Sequence, residues 1–278
     1  PQVLAVVVQL WWAILLAIAW ALLLGWGFGR CLDRVLRGRL AAPDAERRAT
    51  SYFAGAIGGA SEMTLLAERA GARTALVAAS HSLRLLVVTV VLPVAITWSG
   101  LHGVDPGLPG PREVRPIGLL LLAAATGAGA WAMARTGRAN PWFLGALLAA
   151  MGLTMAGIEL SALPQWVTNA AQLLIGVSLG VRFRAEFVHT APRWLAAVGL
   201  GTLAMIVVSA AFAALLAWGT GLHPATLVLG TSPGGIAEMA ITAKVLELGV
   251  PVVTAFQVCR LVAVLVLVEP LHRWGWLR

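Results

Sequence analysis

Apolar residues run along this chain in long unbroken stretches, and the polar positions fall between them in short clusters. The stretches at 3–28, 74–97, 117–134, 141–160, 165–181, 194–218 and 251–271 are long enough, or nearly so, to cross a bilayer as helices, which takes about 20 apolar residues. Two more, at 50–67 and 225–244, are apolar but cut by glycine pairs. A helix interrupted at membrane depth must satisfy its freed backbone groups against protein or water, so both are expected to face the protein interior. The pattern predicts an all-α, polytopic helical membrane protein.

Composition narrows the class. Hydrophobic residues make up 59% of the chain and charged ones 12%, about half the charged share of a soluble domain, so a soluble fold is excluded. The net charge of +8 is carried almost wholly by arginines gathered between apolar stretches, which reads as topology information and gives no reason to expect nucleic acid as a partner. The largest cluster, Arg30, Arg34, Arg37, Arg39, Arg47 and Arg48, is diluted by Asp33, Asp44 and Glu46 and reads as a solvated cytoplasmic loop touching anionic lipid. Trp131, Trp142, Trp166, Trp194, Trp218 and Trp274 stand at span ends, where indole prefers the interface. Cys31 and Cys259 are too few for a disulfide framework and read as packing residues. No basic segment precedes the first apolar run, so no signal peptide is expected.

The glycine-cut segments are copies of one another. Gly58-Gly59-Ala60-Ser61-Glu62-Met63 returns as Gly234-Gly235-Ile236-Ala237-Glu238-Met239, and an arginine follows each glutamate at the same interval, Arg84 after Glu62 and Arg260 after Glu238. One constant offset, from Gly58 to Gly234, relates all of these positions. This divides the chain into a first repeat, 1–98, a Pro/Gly-rich linker, 99–116, and a second repeat, 117–278. Copies of equal length would put the start of the first roughly 60 residues before Pro1. With the arginine segments 30–48, 135–138, 182–193 and 273–278 placed inside, the spans close only if each cut segment is re-entrant. Five full spans per repeat then invert the second copy against the first and bring the two breaks together near the midplane.

The chemistry concentrates at these breaks. Glu62 and Glu238 fall in the first turn of a half-helix, where a carboxylate can bind Na⁺ or exchange a proton, or can simply cap its own helix. Arg84 and Arg260 lie deep in apolar spans and need anionic partners, of which the glutamates are the nearest candidates. His81 corresponds to Gln257, one turn before each arginine, and reads as a proton relay or a plain hydrogen-bonding neighbour. Ser61 and Ser232, with Gly58, Gly59, Pro233, Gly234 and Gly235, line the breaks; Asn169 and Gln172 are secondary polar candidates. Glu159 and Glu269 read as interfacial, and Lys244 as the C-terminal complement of its half-helix. The five histidines show no metal-ligand spacing, and no nucleophile elbow, phosphate loop or dinucleotide fingerprint is present, so neither an enzyme nor a cofactor is expected.

The paired GGxxEM segments with their following arginines, the Ser232-Pro233-Gly234-Gly235 break, and the run from Ala162-Leu163-Pro164 and Trp166 into Leu174-Ile175-Gly176-Val177-Ser178-Leu179-Gly180 resemble the AbrB-type duplicated membrane proteins. These are unrelated to the small DNA-binding regulators of the same name. The resemblance implies a fold like those of cation-proton antiporters and anion transporters with crossed broken helices, and by analogy secondary transport. It carries onto Gly58, Gly59, Glu62 and Arg84, and onto Pro233, Gly234, Gly235, Glu238 and Arg260. Ile57 stands where the second copy has Pro233, so the first break is expected to differ in geometry.

The leading expectation is an H⁺- or Na⁺-coupled secondary transporter of the bacterial inner membrane. Its partners would be a small ion or organic solute, the lipid bilayer and, as an open point, a second copy of the chain. The alternatives are a membrane-bound regulator of gene expression or partner subunit acting through Arg37, Arg39, Arg47 and Arg48, and an ammonia monooxygenase, a family label that the missing metal-ligand spacing disfavours.

Overall fold

In a computed structural model, residues 2–37, 43–101, 103, 113–136, 141–181 and 192–275 are described. Arg39, Arg138, Arg182, Arg184 and most of the linker fall outside them, as do the side chains of Gln172 and of most residues after it in the run to Gly180. The described residues form helices and no strand. In chain order these are α1 (Gln2–Gln9), α2 (Trp11–Leu36), α3 (Asp44–Gly55), α4 (Ala60–Arg69), α5 (Thr74–Trp98), α6 (Pro116–Ala134), α7 (Pro141–Met155), α8 (Gln165–Val181), α9 (Pro192–Thr220), α10 (Pro224–Thr231), α11 (Ile236–Val245) and α12 (Val250–Gly275). Helices α2, α5, α6, α9 and α12 are long and apolar enough to cross a membrane.

Packing groups the helices differently from the duplication: α6–α8 form one compact unit, and the remaining helices, with both interrupted segments, form another. In the smaller unit α6 and α7 approach through glycine. A Cβ added to Gly129 would come 2.6 Å from the Gly145 carbonyl oxygen, so no larger residue fits at this crossing. Asn169 is exposed in this unit, where its side-chain oxygen accepts a hydrogen bond from Gln165 at 3.0 Å.

In the larger unit the first long stretch departs from expectation at both ends. It is interrupted at Leu10, and α2 then continues through Gly25, Gly27 and Gly29 to Leu36, beyond the expected end of the stretch at 28. The reason is packing. A Cβ on Gly55 would stand 2.5 Å from the Gly29 backbone nitrogen and 2.6 Å from its Cα, so α3 lies against α2 backbone to backbone at the turn before the first break. Gly25 meets the same turn, with a would-be Cβ 3.3 Å from the Ala56 Cα.

Charge fixes the other end of this pair. Arg47 is buried, donating to the Asp33 carboxylate on α2 and to Asp44 Oδ1 at 2.7 Å. It does not belong to the solvated surface expected of its cluster. The hydrogen bond from Arg47 holds the Asp44 carboxyl below its ordinary 3.8, so this pair contributes fully above that pH and is lost as pH falls through the lowered value. Arg73 pairs with Glu46 at 2.8 Å and ties the start of α5 to α3. Trp194 also corrects its sequence reading: it is 3% exposed and its Nε1 donates to the Leu76 carbonyl, while Trp131, Trp142, Trp166, Trp218 and Trp274 are exposed. Cys31 is exposed, contrary to a packing role, and Cys259 is half-buried.

Three apolar clusters hold the larger unit. One gathers Phe53, Ile57 and Met63 of the first interrupted segment with Val264 and Val268 of α12. A second gathers Leu229, Met239 and Ala243 of the other segment with Val88, Leu92 and Ile96 of α5. The third seats α1 and α2 against α9, α10 and α12.

Candidate functional site

Each interrupted segment is two short helices joined by an extended stretch, 56–59 between α3 and α4 and 232–235 between α10 and α11. The backbone follows the same path in both. Ala56 has φ −57° and ψ 137°, Ser232 has φ −64° and ψ 153°, and the glycines that open α4 and α11 are also extended, with Gly59 at φ −66° and Gly235 at φ −85°. The first break therefore does not differ for want of a proline. Pro233 restricts Ser232 to an extended conformation that Ala56 adopts with Ile57 following it.

None of these glycines has positive φ; the positive-φ glycines among the described residues are Gly71, Gly100, Gly157 and Gly221. The break glycines are required for space. A Cβ on Gly59 would overlap Glu62 Oε2, and one on Gly235 would overlap Glu238 Oε2. Cβ atoms on Gly58 and Gly234 would meet the ends of Met63 and Met239, both of them fully buried. Each half-helix thus begins with its own methionine and glutamate folded back over a glycine pair.

Glu62 and Glu238 are the third residues of α4 and α11, where a carboxylate meets the positive end of the helix dipole. Neither makes a capping hydrogen bond. Glu62 is 8% exposed, Glu238 is half-buried and Ser61 is exposed. Lys244 lies in the last turn of α11, as its sequence position implies.

The arginines do not pair with the glutamates, and that expectation is corrected. Arg84 Nη1 donates to the Ala56 carbonyl at 2.9 Å, and its Nη2 reaches the Gly58 carbonyl at 3.4 Å and His81 Nδ1 at 2.7 Å. Arg260 makes the same set at the corresponding positions of the second copy: Nη1 to the Ser232 carbonyl, Nη2 to the Gly234 carbonyl at 2.7 Å and to Gln257 Oε1 at 2.6 Å. Interrupting a helix frees carbonyls at the negative end of its dipole, and a guanidinium supplies both donors and compensating charge there. The duplicated arginine is a clamp on the duplicated break. Sequence spacing placed it correctly but offered no sign that its partners would be main-chain oxygens.

His81 and Gln257 complete the equivalence. His81 Nε2 is 2.9 Å from the Phe53 carbonyl, and Gln257 Nε2 donates to the Leu229 carbonyl at 2.7 Å, so donor and acceptor both keep the register of the repeat. Because Nδ1 faces an arginine that can only donate, it must accept, and Nε2 then carries the proton given to Phe53. With both nitrogens occupied, His81 does the work of a glutamine and leaves none free for the relay considered from sequence. His81→Gln is accordingly expected to preserve the thermal midpoint within about 1 °C. His81→Leu, which strands the Phe53 carbonyl and one arginine donor, should lower it by about 3–6 °C, read by melting of the purified protein.

The first interrupted segment is also tied to the helix whose arginine clamps the second. Tyr52, in the last turn of α3, donates its hydroxyl to the Val268 carbonyl of α12 at 2.8 Å in a buried contact. Among the described residues no group of three or more His, Cys, Asp or Glu side chains could hold a metal ion.

Fold and site define a polytopic helical membrane protein with two interrupted, glutamate-bearing helices, each clamped by an arginine from the helix that follows. The chain belongs to the AbrB family, described as transition state regulatory protein AbrB, whose profile matches residues 1–275. It is also similar to the uncharacterized protein YhjN of Bacillus subtilis (strain 168), at 28% identity over 243 residues, covering 81% of this chain and 62% of that protein. The chain thus spans less than two thirds of that relative's length. No solved structure matches it significantly.

Proposed function

We propose that the chain is an ion-coupled secondary transporter of the bacterial inner membrane, with its site at the two interrupted helices and without covalent chemistry of its own. The observation that carries this reading is a pair of acidic side chains, Glu62 and Glu238, at the opened ends of half-helices and free of any hydrogen bond or ion pair among the described residues. A charged group at membrane depth is costly to keep unpaired and marks an ion pathway. Here each carboxylate is folded back over a glycine pair at the start of its half-helix. The repeats are inverted in this reading, the interrupted segments are re-entrant, and the solute is a small ion or organic molecule. The regulator reading is weaker, because Arg47, one of the residues it requires, is buried on Asp33 and Asp44.

The test is Glu238→Gln in proteoliposomes loaded with a pH-sensitive dye. Proton movement driven by an imposed cation or organic-anion gradient should fall to background, while membrane insertion and the melting profile persist. Unchanged flux in both Glu62→Gln and Glu238→Gln would overturn the reading.

A further inference from the structure

Helices α2 and α12 run side by side in the same direction: Ala13 and Ala17 share a cluster with Ala255 and Phe256, and Ala21 and Phe28 share one with Val264 and Val268. Toward their C-terminal ends a cavity of about 620 Å³ opens between them, within the range of about 300–1,000 Å³ usual for ligand sites. Helix α2 contributes Ala19, Ala21 and Gly25 to its lining, side chains too small to fill the space. Buried Tyr52, Ala56 and Ile57 of the first interrupted segment floor it, and exposed Leu23 and Leu271 form its lips. The cavity therefore opens sideways, on the flank of two helices long and apolar enough to cross a membrane.

Its chemistry and length select hydrocarbon. The Tyr52 hydroxyl already donates to the Val268 carbonyl, so the lining offers a polar solute almost nothing to bind. On α12 the lining runs from Val264 to Trp274, about 15 Å at 1.5 Å per residue, which is the depth of one leaflet in a hydrocarbon core of about 30 Å. The outer end is built differently. Trp26 and Trp274 line it and are exposed, as indoles are at headgroup level. The Arg30 guanidinium lies over the Trp26 ring, 4.8 Å from its centroid, and Arg34 is exposed one turn further on. The face of α2 that walls the cavity at Leu23 and Trp26 thus continues as a basic stripe, while the acids on these two helices, Asp33 and Glu269, are held by Arg47 and Arg273.

We infer that an anionic phospholipid docks on this flank, with one acyl chain in the cavity between α2 and α12 and its phosphate at Arg30 and Arg34. The apolar lining accounts for the chain, and the stripe beyond the tryptophans selects an anionic headgroup over a zwitterionic one. The end of the chain would touch Ala56 and Ile57, so the lipid would brace the first break from the membrane side. This goes beyond the transporter reading and does not depend on it.

The experiment is thermal melting of the delipidated chain in a nonionic detergent with dioleoylphosphatidylglycerol, dioleoylphosphatidylcholine or glycerol 3-phosphate added at equal concentration. Phosphatidylglycerol should raise the midpoint by about 2–4 °C in a concentration-dependent way, phosphatidylcholine by about half as much or less, and glycerol 3-phosphate not at all. Ala19→Phe, which puts a ring into the cavity from an exposed position of its wall, should lose the effect while still melting cooperatively. If that variant does not fold, Leu271→Trp gives the same comparison, and the wild-type lipid series decides the matter on its own. Arg30→Gln combined with Arg34→Gln should bring phosphatidylglycerol down to the level of phosphatidylcholine. No rise with phosphatidylglycerol, an equal rise with phosphatidylcholine or glycerol 3-phosphate, or an undiminished rise in a folded cavity variant would overturn the inference. So would a midpoint that climbs with protein concentration and ignores lipid, which would give the cavity to a second copy of the chain. Glu238→Gln separates the two proposals, because it should abolish coupled flux yet keep the lipid-dependent rise.

Discussion

Gly235→Ala is expected to leave the protein folded and inserted while cutting ion-dependent flux about tenfold or more, the equivalent of about 1.4 kcal/mol at the site. The backbone does not object to alanine: φ −85° and ψ 157° lie in the ordinary extended region. The obstacle is the methyl group, which would occupy the position of Glu238 Oε2 and drive the carboxylate out of the break. Gly59→Ala should do the same to Glu62. Gly234→Ala is the informative comparison, since its Cβ would press on Met239 at Cγ, Sδ and Cε, each 2.9 Å away, and not on the carboxylate. Equal flux in Gly235→Ala and Gly234→Ala, measured in the same dye-loaded proteoliposomes, would show that the position of the carboxylate does not matter.

The largest loss of stability is expected from Arg260→Leu. It strands the Gly234 carbonyl and Gln257 Oε1 and leaves the Ser232 carbonyl only its bonds from the Gly234 amide and the Gln257 amide, at a cost of about 2–5 kcal/mol. Folded yield after detergent extraction should collapse, whereas Arg260→Lys, which keeps a charged donor, should recover part of it. An Arg260→Leu protein that melts like the wild type would mean that water or a rearranged backbone satisfies the break.

The sequence carried the frame of this architecture further than its reasons. The GGxxEM repeat located both breaks, and the equal interval from glutamate to arginine put each arginine on the right helix, because a constant offset survives only where the same local structure recurs. Glutamate in the first helical turn was legible from its distance to the glycines. What those glycines are for was not: a glycine pair advertises unusual backbone angles, and here it makes room for a carboxylate and a thioether. The arginines misled for a related reason. Charge complementarity looks for an acid, but an interrupted helix presents carbonyls, and no pattern of side chains announces a main-chain partner. The use of Gly25 and Gly29 was not legible, because it depends on Gly55, which only folding brings beside them. The interruption at Leu10 has no glycine or proline to mark it.

The hydroxyl of Tyr52 on the Val268 carbonyl has a mechanical consequence. It joins the half-helix before the first break to the helix whose arginine grips the second, and the backbone contact at Gly55 joins that same half-helix to α2. A conformational cycle that keeps these joints cannot swing one interrupted helix against the other. It must carry α2, α3 and α12 as a single piece, with Tyr52 serving as a rivet rather than a hinge.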